Sequence, residues 1–493
     1  MPEFSVPFTG QYNSRIAKSN AASGSSGVIG VGIVGSFIIG VSAQASDKDE
    51  RYINCFLTKM GSMEYIIKRP GMAGLNTPSA GNVGSAILVW TGSGSSVVTA
   101  FGAANSTIYS GTSSLGAITG KATGITETFI SATATLAVSS NDSTGWYYDT
   151  GVGTMTQITD VDFPGNAGRT LAGTFAHIDG FACIMDTRAT LWASDLNSIT
   201  AWTATSNDSA NAYPDTGIGC VRHKQYIMAF GTESIQFYIN AGLTPFPLKS
   251  VPNMTVKVGA VSADAIAQIA DTIFWAGSTP QGGLSIFQFD GGVSRVSTPE
   301  QDFQLVLAGP SNISLTTLRV YGRSFVLVKA NTTTYVYCIE DKRWHEWTAT
   351  TPLWYKCAGL STGSQILTYS VSNIATTGKV YVIDPASLVF TDDAVAYTAT
   401  FQSANDDHGT SRWKFYSELN VIADQEPATS DLTIAVSDDD YQTFKTVGTV
   451  DLSTPSPKIT RLGRSKKRAW KGTHSANTAM RIERLQGEVR VGS

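Results

Sequence analysis

The densest group of charged side chains lies near the end of the chain, in residues 458–471. These fourteen residues include no Asp or Glu and seven basic side chains: Lys458, Arg461, Arg464, Lys466, Lys467, Arg468 and Lys471. Clustered ammonium and guanidinium groups bind phosphate or carboxylate groups, and such binding weakens as the salt concentration rises. Two interpretations stay open. The segment contacts a polyanion or an acidic partner ring, or it is the solvated face of a strand or a loop on an oligomer rim.

A second candidate for chemistry is the acidic segment Ser437–Phe444, with the sequence Ser-Asp-Asp-Asp-Tyr-Gln-Thr-Phe. It is similar to the Asp box of sialidase-type propellers, in which Asp side chains brace a hairpin turn and the aromatic side chain packs underneath. The box occurs once here, and its usual Gly is replaced. Glycosidase chemistry needs two carboxylates at a set separation, or a tyrosine nucleophile with its base. No such constellation stands out among the 39 acidic residues, so the segment is predicted to be a structural turn.

The sequence lacks the common catalytic and metal-binding motifs. It contains no GxSxG, HExxH or P-loop pattern, and its five cysteines are widely spaced without a CxxC pair. We therefore predict a structural or binding protein rather than an enzyme, with no cofactor, no metal site and no disulfide framework.

The composition is typical of a turn-rich all-β protein. Charged residues make up only 15% of the 493 residues, and 47 of the residues are glycine. The formal net charge is −4, so the seven positive charges of residues 458–471 leave −11 for the rest of the chain. The apolar segment Val28–Val41 is shorter than the ~20 residues of a membrane span. Neither a membrane span nor a signal peptide is expected.

Short recurring strands would have to position these side chains. Runs of β-branched and aromatic residues end at Gly, Pro, Asp or Asn, which favours strands joined by turns. Five of these runs align at intervals of 45, 47, 52 and 41 residues, at Phe181, Tyr226, Ile273, Phe325 and Ile366. A period of about 45 residues with roughly four strands predicts a β-propeller, here of six or seven blades.

Some parts of the repeat are less regular. Blade boundaries are unclear over residues 85–160, where Ser, Gly and Thr dominate the linkers, and only Ala263–Ala270 has helical spacing, for about two turns. Five tryptophans at strand positions are predicted to pack between blades rather than to form a carbohydrate-binding surface: Trp192, Trp202, Trp275, Trp344 and Trp347.

The pattern divides the chain into three predicted regions. Residues 1–46 form a Gly/Ser-rich N-terminal arm, and residues 47–395 form the propeller. Residues 396–493 form a C-terminal β-sandwich-like domain that carries the basic segment. Longer strands, such as Lys414–Ile422, begin after Thr398 and support the last boundary.

Several motifs together resemble the packaged-DNA stabilisation proteins of short-tailed bacteriophages (podoviruses), a family of tail hub or nozzle proteins. Residues Arg51–Asn54 and Lys68–Gly71 resemble the N-terminal pattern of that family. The repeat core carries the remaining motifs, which are His177–Phe181, Leu191–Asn197, Trp202, Pro214-Asp215, Gly231–Ile235, Ala241-Gly242, Pro245–Pro247, Asp271–Gly277 and Arg295–Thr298. These motifs run in order from about residue 47 to about residue 350. The Gly-rich residues 20–46 and the irregular strands of 85–160 depart from the family pattern.

The resemblance implies a structural virion protein of the phage tail with no catalytic residues. Such a protein forms a homohexameric ring below the portal and adaptor rings, retains packaged DNA and forms the channel for its ejection. Tail needle, fibre or spike proteins would be further partners, and assembly would take place in the host cytoplasm. Double-stranded DNA would pass through the lumen without sequence specificity. The alternative is a sialidase-like or other carbohydrate-active or carbohydrate-binding propeller.

In a hexamer the basic segment would occur six times and form a girdle. A strong grip on DNA would impede ejection, whereas docking to a partner is needed only once. The girdle is therefore predicted to make a protein–protein contact rather than to hold DNA.

Overall fold

The structure is a computed structural model that describes residues 3–5, 50–61, 63–131, 133–210, 212–279, 283–361 and 366–491. The described residues form two compact units. The first lies within Met1–Gly71, Val336–Thr348 and Val389–Ser493, and the second is Met72–Tyr335 with Ala349–Leu388. The predicted arm of residues 1–46, including Val28–Val41, lies outside the described residues except for one strand at residues 3–5.

The first four strands among the described residues belong to the first unit, and the strands of the second unit follow them. The early strands are β1 (Glu3–Ser5), β2 (Arg51–Ile53), β3 (Cys55–Met60) and β4 (Met63–Lys68). The next strands belong to the second unit and are β5 (Ala73–Asn76), β6 (Gly84–Trp90), β7 (Ser96–Phe101), β8 (Ser106–Ser110), β9 (Ser113–Ile118), β10 (Ala122–Ile130), β11 (Thr133–Ser140), β12 (Gly145–Asp149), β13 (Thr154–Gln157), β14 (Leu171–Ile178), β15 (Phe181–Asp186), β16 (Thr190–Ser194), β17 (Trp202–Ser209), β18 (Gly217–His223), β19 (Tyr226–Gly231), β20 (Ile235–Asn240), β21 (Leu248–Ser250), β22 (Ile266–Ile269), β23 (Thr272–Ser278), β24 (Leu284–Phe289), β25 (Val293–Arg295), β26 (Ile313–Val320) and β27 (Arg323–Ala330).

The chain passes from one unit to the other within β28 (Thr333–Cys338), and β29 (Arg343–Trp347) belongs to the first unit. The second unit then ends with three more strands, which are β30 (Lys356–Ser361), β31 (Ile366–Val371) and β32 (Val380–Ile383). Among the described residues, the α-helix α1 (Pro299–Ala308) follows β25. Short 3₁₀-helices are Thr91–Ser93, Pro252–Met254, Ala263–Ala265 and Pro310–Asn312.

The second unit is a β-propeller with seven blades in the part of the chain that the structure describes. Five antiparallel sheets each contain four consecutive strands, from β6–β9 to β22–β25, and β26–β28 begin the sixth blade. The seventh sheet has the order β30-β31-β32-β5, and β30 packs beside β6, so the ring of blades closes. The first strands of the blades recur every 38 to 49 residues, beginning at Gly84, Ala122, Leu171, Gly217, Ile266, Ile313 and Lys356.

The predicted alignment of the repeats is confirmed. Each of the five residues that define the period lies in the second strand of a blade, in β15, β19, β23, β27 or β31. Residues 85–160, where the boundaries were unclear in the sequence, form two complete blades, β6–β9 and β10–β13.

The helical prediction for Ala263–Ala270 is wrong. A 3₁₀ turn at Ala263–Ala265 leads directly into β22, which pairs with β23. Helix α1 lies instead at Pro299–Ala308, where a capping box joins Thr298 and Gln301 and Pro299 occupies the first turn. In the described ranges no helix is long and apolar enough for a membrane crossing.

The cores of the propeller lie between neighbouring blades and contain three of the five tryptophans. Trp275 of β23 lies edge-on to Phe230 of β19, with ring centroids 5.7 Å apart. Trp192 and Trp202 share a buried cluster with Ala137 of the preceding blade. Packing between blades is therefore confirmed for these residues. For Trp344 and Trp347, which are buried on β29, packing between blades stays a prediction.

Two of the family-like motifs brace one turn of the fourth blade. The carboxylate of Asp215 accepts hydrogen bonds from the backbone N–H groups of Glu233 (3.1 Å) and Ser234 (2.8 Å) between β19 and β20. A Cβ on Gly231 would lie 2.2 Å from Oδ2 of Asp215. Since no side chain fits there, glycine is required beside the carboxylate, and these motif residues serve the fold.

The first unit is a β-sandwich. Its later strands are β33 (Thr391–Asp392), β34 (Val395–Ala396), β35 (Ala399–Gln402), β36 (Lys414–Ala423), β37 (Asp431–Ser437), β38 (Lys445–Asp451), β39 (Lys458–Ser465), β40 (Ala469–His474) and β41 (Arg481–Val491). One sheet has the order β3-β4-β41-β36-β39, with β1 also paired to β41. In the other sheet, the segment that belongs to this unit has the order β29-β2-β35-β40-β37-β38. Buried residues of both sheets, such as Leu419 and Phe401, share one core.

The compact units divide the chain differently from the three predicted regions, whose boundaries stay a prediction. Early strands complete the sandwich, since Tyr52 of β2 pairs with Phe401 and Ile66 of β4 pairs with Ile482. Hydrophobic alternation shows that such segments are strands but does not show which distant strand each one pairs with.

Candidate interaction surface

The predicted basic segment follows β39, the turn at residues 466–468 and β40. Its exposed side chains are Lys458, Arg461, Arg464, Lys466 and Lys467. Lys471 is half-buried, and its Nζ lies 4.8 Å from the centre of the Phe444 ring. β39 is the last strand of its sheet and pairs there with β36 alone among the described strands. Charged side chains on such an edge also oppose pairing with a foreign strand.

Arg468 is a structural residue, which corrects its inclusion among the predicted contact residues. Its side chain is only 2% exposed. Nε and Nη2 donate to the two carboxylate oxygens of Asp438 at 2.7 and 2.8 Å, and Nη1 donates to the carbonyl of Leu462 at 2.8 Å. The guanidinium also lies 4.3 Å from the centre of the Tyr416 ring. Its charge is therefore neutralised inside the sandwich.

The acidic segment Ser437–Phe444 is confirmed as a structural turn between β37 and β38. Asp438 forms the ion pair with Arg468. Asp439 accepts hydrogen bonds from the hydroxyl of Thr443 at 2.5 Å and from its backbone N–H at 3.0 Å. These bonds lower the pKa of Asp439 to about 2. Both carboxylates thus have structural partners within the turn and the neighbouring strand.

Two exposed aromatic side chains lie beside the basic turn. The register of β36 and β39 places Phe415 opposite Arg464, and both Phe415 and Trp413 are 45% exposed. Cζ of Arg464 lies 4.9 Å, and Nζ of Lys466 5.6 Å, from the centre of the Trp413 ring. We define the basic aromatic patch as the exposed residues Arg412, Trp413, Phe415, Arg464, Lys466 and Lys467.

Buried Lys414 fixes the two chain segments that build the basic aromatic patch. Its Nζ donates to the carbonyl oxygens of Thr410 (2.6 Å), Arg412 (3.1 Å) and Lys466 (2.6 Å). An ammonium group has three donors, and each of them has a backbone acceptor here. The loop before β36 is therefore tied to the turn after β39.

Among the described residues, the cations of the basic aromatic patch lack the acidic partner that Lys458 of the same segment has. Lys458, at the far end of β39, forms an ion pair with Glu418 at 3.7 Å. Across the described ranges, no Asp or Glu forms an ion pair with the patch cations Arg412, Arg464, Lys466 and Lys467. The patch therefore presents uncompensated positive charge next to exposed aromatic surface.

A separate buried group joins the two N-terminal motifs inside the first unit. Arg69 is fully buried, and its Nη1 and Nη2 donate to the carboxylate of Asp392 at 3.0 and 2.5 Å. Its Nε donates to Oδ1 of Asn54 at 2.9 Å. Arg51, three residues earlier than Asn54, forms a two-bond ion pair with Glu346 at 2.9 and 2.6 Å. The motifs are thus explained by structural hydrogen bonds.

Lys68, next to Arg69, is fully buried as well. Its Nζ donates to the carbonyl of Ala476 at 2.6 Å and lies 3.4 Å from Nδ1 of His474. Burial and the charge of Arg69 lower the pKa of Lys68 to about 8. Burial and the charge of Lys68 lower the pKa of His474 to about 4. Two buried basic groups thus face each other, and only one of them is charged at neutral pH.

We expect the sandwich to lose stability as the pH falls from 6.5 to 4. His474 stays neutral in the folded state down to about pH 4, whereas in the unfolded chain it is protonated below its ordinary value of 6.5. The unfolded state therefore binds more protons in this window, and the free energy of unfolding falls by about 3 kcal/mol. Urea unfolding of wild type and His474→Asn at pH 7 and pH 4 measures this. An equally steep loss in the variant would contradict the role of His474.

No set of three or more His, Cys, Asp or Glu side chains in the described part of the chain is arranged to hold a metal ion. The chemistry that the surface offers is recognition by cations and aromatic rings. Sequence reasoning identified three of the six patch residues, Arg464, Lys466 and Lys467. It missed the other three because residues 412–415 lie about fifty residues before the basic turn. The spacing of Trp413 and Phe415 puts both on one face of a strand, which was the available signal.

Comparisons with known proteins place the propeller in a family. The family model described as Phage_stabilise, bacteriophage P22 Gp10, β-propeller, matches residues 59–375. Among solved structures, BamB from Moraxella catarrhalis is 12% identical with a TM-score of 0.38, over 66% of this chain and 92% of that chain. BBS1N in complex with ARL6DN is 11% identical with a TM-score of 0.38, over 64% of this chain and 96% of that chain. No curated protein matches the chain. Because the family model covers well over half of the chain, from β3 to the end of the seventh blade's second strand, the protein belongs to the phage stabilisation family of the bacteriophage P22 Gp10 β-propeller.

Proposed function

We propose that this protein is a subunit of the tail hub, or nozzle, of a short-tailed phage. In this role it attaches below the portal and adaptor rings, retains packaged DNA in the head and forms the channel through which the DNA leaves. The family match over residues 59–375 is the observation that carries the proposal. Membership of that family makes the protein a structural component of a phage virion that stabilises packaged DNA.

A homohexameric ring with a DNA-sized lumen is part of the proposal. The net charge supports low affinity for DNA over most of the protein, because residues outside 458–471 carry −11 while that segment carries +7. Acidic walls repel phosphate groups, so double-stranded DNA would slide without sequence-specific contacts. Retention would then depend on a plugging partner, such as a tail needle, rather than on a grip along the channel.

The basic segment without the buried Arg468 is proposed as the docking surface. Six of the seven predicted residues keep this role: Lys458, Arg461, Arg464, Lys466, Lys467 and Lys471. Repeated six times around a ring, they would form a basic girdle toward the portal side. Fibre or spike proteins would attach elsewhere, and assembly would take place in the host cytoplasm.

The carbohydrate-active alternative loses its sequence support. It depended on the acidic segment Ser437–Phe444, in which Asp438 binds Arg468 and Asp439 braces the turn. The three tryptophans of the propeller that were weighed as a binding surface are buried between blades: Trp192, Trp202 and Trp275.

The proposed function is tested with a phage that carries a nonsense mutation in the gene for this protein. Heads assembled without the protein should package DNA and then lose it, which gives nuclease-sensitive DNA in the lysate and empty heads in negative-stain images. Wild-type protein supplied in trans should restore filled, infectious particles. Mutant particles that keep their DNA and infect normally would contradict a role in DNA retention.

A further inference from the structure

The basic aromatic patch combines two features that ordinary solvated surface avoids. Trp413 and Phe415 each expose nearly half of an aromatic side chain. Two cations, Arg464 and Lys466, lie close to the Trp413 ring, and none of the four patch cations forms an ion pair with a described acidic residue. We propose that the basic aromatic patch binds an acidic segment of a neighbouring virion protein, with an apolar side chain of that segment packed on Trp413 and Phe415. This inference rests on the proposed function and adds the chemistry of the partner.

Charge is the first argument for an acidic partner. Arg464 and Lys466 both approach the ring of Trp413, with the charged atoms 4.9 and 5.6 Å from its centre. The indole stabilises each cation by a cation–π interaction, but the two like charges repel each other. Carboxylate groups placed between them would offset this repulsion and form charge-assisted hydrogen bonds with the Arg464 guanidinium.

The aromatic surface favours a protein over DNA. Duplex DNA presents phosphates and sugars to a protein surface, and its base faces are stacked inside the helix. Aromatic side chains bind nucleic acid chiefly by stacking on bases of single strands, which needs an open ring face. At Trp413 the ring already has two cations close to it. Burying Trp413 and Phe415 against apolar protein atoms, with carboxylates on the surrounding cations, satisfies every group in the patch.

The geometry of the patch is fixed before a partner arrives. Lys414 ties the carbonyl of Arg412 to that of Lys466, and β36 is paired with β39 at Phe415 and Arg464. A surface whose backbone is already ordered loses little conformational entropy on binding. Exposed aromatic and arginine side chains at the centre of such a surface are the residue types that contribute most to protein–protein affinity.

The test uses full-length protein and heads purified from a phage that lacks it, with attachment measured by co-sedimentation over a salt series. Arg464→Glu/Lys466→Glu should reduce the apparent affinity by tenfold or more, because like charges would then face the acidic partner. Trp413→Ala should reduce it by several fold. Lys249→Glu/Lys445→Glu is the matched control, since it changes the net charge equally at exposed positions outside both the patch and the basic segment and should leave attachment within about twofold.

The partner's chemistry is tested by zero-length carbodiimide cross-linking of wild-type particles, followed by mass spectrometry. The expected product joins Lys466 or Lys467 to an Asp or Glu of another virion protein. Normal attachment of the Arg464→Glu/Lys466→Glu variant would overturn the inference and leave the patch as solvated surface. It would equally be overturned by the absence of this cross-link together with weaker binding of the variant to a short DNA duplex, which would assign the patch to DNA. Failure of the wild-type protein to attach to heads would instead overturn the proposed function.

Discussion

Replacing Asp392 by Ala is expected to lower the free energy of unfolding of the sandwich by about 3–5 kcal/mol. The carboxylate forms two hydrogen bonds with the guanidinium of Arg69, which is 0% exposed. Arginine does not lose its proton in proteins, so the variant would keep a full positive charge in the core without its partner. Urea unfolding followed by circular dichroism measures the loss.

Two controls separate the cost of an unpaired buried charge from the value of an ion pair. Asp424→Ala removes an exposed partner, whose bond to Arg481 is 3.0 Å long, and should cost less than about 1 kcal/mol. Arg69→Met/Asp392→Leu replaces both buried charges with apolar groups and should recover much of the stability that Asp392→Ala loses. Equal losses in the two single variants would show that burial of Arg69 does not decide the effect.

Replacing Trp275 by Ala is expected to cost the propeller about 3–5 kcal/mol, as large-to-small changes in a packed core do. Trp275 is fully buried between the fourth and fifth blades, edge-on to Phe230 and stacked on Phe287 at a centroid distance of 5.8 Å. The contacts to both rings would be lost, and a cavity would remain between the blades. Thermal unfolding at constant protein concentration measures the change.

A matched substitution on the surface gives the reference for this prediction. Trp413→Ala removes the same number of atoms from a side chain that is 45% exposed, and should change stability by less than about 1 kcal/mol. If the two variants unfold at the same temperature, Trp275 does not hold the blades together.

The strands of the propeller could be predicted where their residues are β-branched or aromatic. The second strands β15, β19 and β23 carry strongly apolar runs, and the period follows from them. β9 and β10 carry mostly Ser, Thr, Ala and Gly, so their strand structure depends on pairing with β8 and β11 rather than on local preference. Helix α1 had a local signal, because Thr298 and Gln301 form a capping box around Pro299.

The candidate site was predicted only in part, because its composition depends on how distant strands pair in the sheet. Basic residues stand out in any sequence, but burial of Arg468 depends on Asp438, thirty residues earlier. Exposure of Trp413 beside Arg464 depends on the register of β36 and β39. Register between distant strands is decided by the packing of whole faces, which one strand's own sequence does not contain.

The seventh blade is completed by a strand that is synthesised long before the strand with which it pairs. β5 pairs with β32, and the paired residues Asn76 and Val380 are 304 positions apart. At the usual ~5–20 residues per second of synthesis, β5 leaves the ribosome about 15 to 60 seconds before its partner exists. Throughout that interval the backbone donors and acceptors of β5 lack the strand with which they pair. Closure of the ring is also slow to fold, because it joins residues that are far apart in the sequence. Translation speed and chaperone supply in the infected host should therefore limit the yield of closed propellers.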